Sequence, residues 1–360
     1  APSITDVDTI NVAFTATSNA MTLDFQDIAG TETANMTGIS ADLRQTFGNM
    51  LAEVTTLGIA NTSEQAKVTM TYLNNELSSD SNRVALNLTN ASLANTDEEA
   101  AEEAALSIRA TTPRGADLQN SIEVFDVNVA SASTVATFDT GATDFDDLVI
   151  GERPQTINID AKGSLAIGTM RWLANRVETN SANGFQAVGT HQVGDSGLGF
   201  TRSEQIERIE ITGDSAVTLA NVGQWDTTGD ADTNTDLVLD ASTLTGNLTA
   251  DISNASASSD LTASITGGSG QNRLYVADQD VVTSVTAGAG VRDSLTVQSI
   301  SGQDVDLRDG VGIETLNLVA SQNGSATGWT ADLTNGGFET VTLDNQAGGA
   351  MTATLEEMNG

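Results

Sequence analysis

Ile313-Glu314-Thr315-Leu316-Asn317-Leu318 has two near copies in the chain, Ile206-Glu207-Arg208-Ile209-Glu210-Ile211 and Phe338-Glu339-Thr340-Val341-Thr342-Leu343. Each places Glu second and then alternates apolar with polar residues at the period of a β-strand. A short strand that returns along a Thr-, Asp- and Gly-rich chain predicts stacked β-coils. Outward from these phrases the pattern holds. From Arg202 onward, Val217-Thr218-Leu219, Leu237-Val238-Leu239, Leu248 to Ile252, Leu261 to Ile265, Leu274-Tyr275-Val276, Val282 to Val285, Leu295-Thr296-Val297 and Val305-Asp306-Leu307 alternate with Gly, Asn and Asp turns. The step is about 10 residues, which a β-sandwich would also give, and the recurring phrases favour a solenoid.

Nearer the start, Ile10-Asn11-Val12-Ala13-Phe14 and Met21-Thr22-Leu23-Asp24-Phe25 also read as strands. The period then changes. Leu43, Phe47, Met50, Leu51 and Val54 recur at helical spacing after Ser40, which would serve as an N-cap. A second helix is expected from Ser63 to Leu77, with Ala66, Met70 and Leu73 on one face. A third opens on the capping box Thr96 to Glu99 and runs to Leu106, with acids in its first turn. After Pro113-Arg114-Gly115 the strand pattern resumes at Ile122, Val124, Val127 and Val129. Leu148-Val149-Ile150 and Ile157-Asn158-Ile159-Asp160 follow, ahead of a mixed loop from Met170 to Gly199. The expected fold is mainly β: an irregular right-handed parallel β-solenoid over 202–360, a β-rich connecting region over 116–201, and a smaller mixed α/β, helix-containing N-terminal portion over 1–115.

Composition narrows function. The 360 residues are 39% hydrophobic, enough for a core, but only 4% aromatic, which argues against aromatic-lined ligand or sugar sites. Acids outnumber bases 49 to 14, for a formal charge of −35. Nucleic acid is excluded as a partner, because phosphate binding needs a basic face. Such self-repulsion calls for neutralisation, and hard cations prefer carboxylate and carbonyl oxygen. Lysine occurs only as Lys67 and Lys162, and cysteine not at all, which removes disulfides and thiolate sites. With 33 Gly and abundant Thr, Asn and Asp, the composition suits a secreted cell-surface protein. No apolar run is long enough to span a membrane as a helix.

Four segments offer candidate calcium ligands. Gly267-Gly268-Ser269-Gly270-Gln271-Asn272-Arg273-Leu274 approximates the calcium nonapeptide, in which glycine turns and an Asp hold Ca²⁺ between coils. Gly288-Ala289-Gly290-Val291-Arg292-Asp293-Ser294-Leu295 repeats it with one residue inserted, an offset that suits a coil of about 20 residues. Gly268, Gly270, Asn272 and Asp293 are the candidate ligands, with Asn272 standing where the motif has Asp; the alternative is glycine turns that only let the chain fold back. Asp226, Asp230, Asp232, Asn234 and Asp236 place side-chain oxygens at alternating positions, like the opening of an EF-hand loop without its central Gly and closing Glu. Asp144 and Asp146, beside Asp147, form a weaker cluster. The alternative for both clusters is a solvated surface loop, a reading that weighs more at Asp144 and Asp146.

No catalytic constellation emerges. Gly194-Asp195-Ser196-Gly197 has the look of a serine-protease nucleophile motif, but Leu198 stands where a second Gly belongs. The sole histidine, His191, lies on the same loop. A glycine-rich loop accounts for it.

The Glu-marked phrases and the Gly267 to Leu274 turn resemble the RTX-related β-solenoid S-layer proteins of Gram-negative bacteria, over somewhat under half the chain. The resemblance implies a non-enzymatic, extracellular protein that tiles the cell surface with copies of itself, with Ca²⁺ within and between subunits. It also implies an N-terminal, often helix-rich portion that anchors the lattice to lipopolysaccharide, into which residues 36–110 would fit. A fragment of a secreted adhesin or filament protein is the first alternative, and a secreted RTX-type hydrolase the second.

Overall fold

In Val124–Val129 the side chains of Phe125, Val127 and Val129 are buried and those between them are not; Thr156–Ala161 repeats this with Ile157, Ile159 and Ala161. Strands with this alternation need in-register neighbours and a covering layer. A computed structural model of the chain supplies both. It describes residues 4–14, 20–39, 44–62, 66–73, 76–77, 81–94, 105–110, 122–139, 156–171, 178–181, 184–187, 208–220, 222, 237–252, 263–276, 282–300, 305–306, 312–320, 329–332, 338–345 and 353–356. The protein is mainly β, built on parallel sheets, and no helix occurs among the described residues.

The chain divides into two units, Ala1–Ile206 and Glu207–Gly360. In the first, one parallel sheet orders Thr9–Ala13, Thr33–Thr37, Thr56–Ala60, Arg83–Thr89, Val124–Val129 and Thr156–Ala161. A second orders Met21–Asp24, Arg44–Met50, Lys67–Tyr72, Leu106–Ala110, Ser133–Asp139 and Leu165–Arg171. Successive main strands therefore fall in alternate sheets. Phe125 of the first sheet meets Phe138 of the second edge-on, with ring centroids 5.7 Å apart. Phe25 packs on Phe47 at 5.0 Å, and Phe14 lies 6.1 Å from the same ring. These five phenylalanines all lie in the core. Glu178–Ser181 and Gly184–Ala187 form an antiparallel hairpin.

In the second unit, Arg208–Gly213, Leu237–Asp240, Ala263–Thr266 and Val282–Thr286 make one parallel sheet. Val217–Leu219, Leu248–Asp251, Asn272–Val276, Ser294–Ile300, Thr315–Ala320 and Thr340–Asn345 make another. Val305–Asp306, Trp329–Asp332 and Ala353–Glu356 form a third. Here too the chain alternates between sheets. Two of the Glu-marked phrases become register neighbours, with Leu316 opposite Val341 and Leu318 opposite Leu343; the phrase at 206–211 contributes to a different sheet. Register partners recur 24, 21, 21 and 25 residues apart, from Leu248 to Asn272, Arg273 to Ser294, Ser294 to Thr315, and Thr315 to Thr340. One such step is called a level below.

The expected N-terminal helices are corrected. Residues 44–50 are a strand with a register shift between Phe47 and Met50, where Asn49 has φ 53°. That irregularity turns both Phe47 and Met50 inward, and a turn closed by the Val54 N–H on the Leu51 carbonyl at 3.0 Å buries Val54. Bulge and turn together imitate helical spacing. Over the second expected helix, Lys67–Tyr72 is a strand, with Ala66, Val68, Met70 and Tyr72 all fully buried at period two. The Tyr72 hydroxyl donates to the Val54 carbonyl at 2.6 Å, and burial pushes its pKa well up. The capping-box segment 95–104 lies outside the described residues, and Leu106 opens a strand. No helix is long and apolar enough to cross a membrane among the described residues.

Phe125→Ala is expected to destabilise the protein by about 3–5 kcal/mol, because the void sits between facing sheets that cannot collapse onto it. Denaturant unfolding should show a lower midpoint with an unchanged slope.

Candidate functional site

A parallel ladder pairs the strands but leaves turn N–H groups without partners, and buried ones must find an acceptor. At five positions in this protein a carboxylate supplies it, while other turn N–H groups donate to backbone carbonyls. A side chain one level later in the chain reaches back to a backbone N–H of the level before. The Gly30 N–H donates to Glu53 Oε1 at 2.5 Å and the Ala52 N–H to Glu76 Oε2 at 3.1 Å, while the Asn82 N–H donates to Glu123. In the second unit the Asn272 N–H donates to Asp293 Oδ1 and the Asp293 N–H to Glu314 Oε2, both at 2.6 Å. Hydrogen bonds to ionised acceptors are shorter and stronger than neutral ones. The repeated Glu of the opening phrase is thereby explained at Glu314, whose carbonyl also accepts the Glu339 and Thr340 N–H groups at 2.9 Å.

The glycines of the candidate calcium turns meet their neighbours at contact distance. A Cβ on Gly268 would lie 2.1 Å from the Leu244 carbonyl oxygen, and one on Gly288 2.3 Å from that of Gly268. One on Gly270 would fall 2.2 Å from the Gly246 oxygen, and one on Gly290 2.2 Å from that of Gly270. Gly288 also has φ +84°, a region that side chains disfavour. Two columns of glycine therefore let successive turns touch through their backbones.

Asn272, fully buried, fills the middle of this arrangement. Its Oδ1 accepts the Gly268 N–H at 3.0 Å, which orients the amide. Its Nδ2 then faces Gly268 O at 3.1 Å, Gly270 O at 2.9 Å, Ala287 O at 2.6 Å and Asp293 Oδ1 at 3.1 Å. Asp293 is also fully buried, and its Oδ2 has no hydrogen-bond partner among the described residues. Burial pushes the Asp293 carboxyl above the usual range. The hydrogen bonds from Asn272 oppose the shift, and the Glu314 charge adds to it.

Of the residues expected to bind calcium, the fold brings together Gly268, Gly270, Asn272 and Asp293, the four drawn from the two glycine turns. Asp226, Asp230, Asp232, Asn234, Asp236, Asp144 and Asp146 lie outside the described residues, as do His191 and Ser196. At the glycine turns the residues present do not fit a cation: the oxygens that would coordinate it already surround the Asn272 amide nitrogen. Among the described residues no group of three or more His, Cys, Asp or Glu side chains is arranged to hold a metal. The capping role of Glu53, Glu76, Glu123 and Glu314 was not anticipated; for Glu314 the recurring second position of the phrase was the available signal. Basic side chains link levels on the surface. Arg83 pairs with Asp126 of the next strand, and Arg208 bridges Glu210 at 2.6 Å and Asp240 at 3.0 Å. Such exposed pairs contribute little each. Comparison with protein-family models, curated proteins and solved structures returns no match.

Glu314→Ala leaves the Asp293 N–H without its acceptor and is expected to cost about 1–3 kcal/mol in unfolding free energy, with Glu314→Gln recovering part of the loss. A second expectation concerns pH. With its folded pKa raised, Asp293 binds its proton more tightly in the native than in the unfolded chain. Its contribution is fully present below the ordinary aspartate value of about 4 and is lost as pH rises through the raised folded value. In chelator, the difference in unfolding free energy between wild type and Asp293→Asn should change across that window; a difference independent of pH would contradict the assignment.

Proposed function

We propose that this chain is an extracellular structural protein that assembles with copies of itself. The observation that carries the reading is the alternation of the chain between parallel sheets, level after level. We read this alternation as an irregular right-handed parallel β-solenoid, the hand following from the preference of parallel crossover connections. Such a fold grows by adding levels and presents long regular faces, which suits a scaffold. The chemistry between levels is carboxylate on backbone amide and glycine on carbonyl, interactions that hold a structure rather than transform a ligand.

Charge supports a surface location and a cation. A formal charge of −35 is spread over a chain whose lysines number two. When bound, Ca²⁺ supplies positive charge and accepts six to eight oxygen ligands. The residues assigned to hold it are Asp226, Asp230, Asp232, Asn234 and Asp236, with Asp144 and Asp146 as a second cluster. Their oxygen-rich spacing supports this, and the glycine turns are left out because Asn272 fills them. A surface layer with lipopolysaccharide as its anchor is the specific form proposed. A filament or adhesin fragment is the second reading, favoured by the same alternation of strands.

Purified protein should form ordered two-dimensional arrays in millimolar calcium that disperse in chelator, as seen by negative-stain electron microscopy. Fibres would move the reading to the filament. Dispersed particles in both conditions, with unchanged thermal stability, would overturn both self-assembly and the role of calcium.

A further inference from the structure

The environment of Asn272 Nδ2 is that of a cation. Four oxygens lie within 3.1 Å of this one nitrogen: the carbonyls of Gly268, Gly270 and Ala287, and Asp293 Oδ1. An amide carries only two N–H protons, so oxygens outnumber the hydrogens that can satisfy them. The oxygens come from three successive stretches of chain, at 268–270, 287 and 293, so the nitrogen links adjacent levels. The amide cannot turn its oxygen inward without losing the Gly268 N–H, which Oδ1 accepts at 3.0 Å. Around it the turns are closely stacked, since a Cβ on Gly268 or Gly288 would collide with a carbonyl oxygen of the neighbouring level.

We propose that the Asn272 side-chain nitrogen does the work of a metal ion in this turn: it is a built-in, uncharged latch between levels, so this part of the chain holds without calcium, and the pocket around it is a latent divalent-cation site. Replacing the amide by a carboxylate puts two carboxylates, that of position 272 and that of Asp293, among three carbonyls. Like charges so placed repel unless a cation or a proton joins them. A hard divalent cation accepts that donor set, because carbonyl and carboxylate oxygens are its preferred ligands. The proposal is independent of self-assembly and of ion binding elsewhere in the chain.

The test is Asn272→Asp, with Asn272→Leu as the control that removes the nitrogen and adds no ligand. In chelator both variants should unfold earlier than wild type. Calcium chloride, at ionic strength matched with sodium chloride, should restore Asn272→Asp and leave Asn272→Leu unrescued. At a hundredfold excess of calcium over its dissociation constant, the folding equilibrium of Asn272→Asp rises about a hundredfold beyond any rise seen in wild type. Wild-type stability for Asn272→Asp in chelator would overturn the proposal, as would a calcium response no larger than that of wild type. Should neither variant fold, hydrogen exchange in the wild type decides. Protection of the Gly268 and Asn272 amides, relative to those of Leu248 and Leu274 in the neighbouring strands, should be the same in calcium and in chelator. A selective loss of protection at Gly268 and Asn272 in chelator would show that an ion, and not the amide, closes the turn.

Discussion

Backbone N–H groups beside the parallel strands need acceptors, and at five positions in this protein a carboxylate from the next level provides one. The device recurs from Glu53 on Gly30 to Glu314 on Asp293, across sequence separations of 21 to 41 residues. Everything else in the fold is compatible with it. Short strands are supported where a turn is tied to its neighbour by a charge-assisted hydrogen bond as well as by the ladder. Part of the acid content is then structural, and a shortage of basic residues does less harm than a count of charges suggests.

Glycine sets how closely the levels meet. At Gly268, Gly270, Gly288 and Gly290 the approach to the preceding level's carbonyls excludes a Cβ, so backbone oxygens converge on a small volume. Convergent carbonyls are unfavourable unless something positive or protic sits among them. Asn272 places a neutral N–H donor there, and the buried Asp293 beside it keeps one oxygen without a hydrogen-bond partner among the described residues. The amide nitrogen thus stands among the oxygens that an ion would need. The acidic segments at 144–146 and 226–236 carry no such amide among their residues, apart from Asn234, and the calcium proposal rests on them.

Much of the strand pattern was legible. Val124–Val129, Thr156–Ala161 and the strands from Val217 to Thr286 follow visible alternation. The N-terminal helices were misread for a physical reason. Phe47, Met50 and Val54 face one core because a bulge and a tight turn reset the pleat, and their spacing then coincides with that of a helix. At Ala66 to Tyr72 the strict alternation of apolar and polar residues was present, and Ala66 and Met70 satisfy either period. The site was half legible. Glycine spacing pointed to the 268–272 turn and to Asp293, whereas the caps at Glu53, Glu76 and Glu123 carry no local mark, since an acid that reaches back one level looks like any exposed acid.

By itself the sequence determined that the protein is β-rich, acidic, free of cysteine and punctuated by glycine turns, because strand period, charge and turn chemistry are properties of neighbouring residues. Only the tertiary structure decided which strands pair, which sheet each joins, and what each acid does. Those outcomes depend on register between segments tens of residues apart. Asn272 shows the difference most plainly: in the sequence it is a departure from a calcium motif, and in the fold its amide nitrogen is the donor on which four oxygens converge.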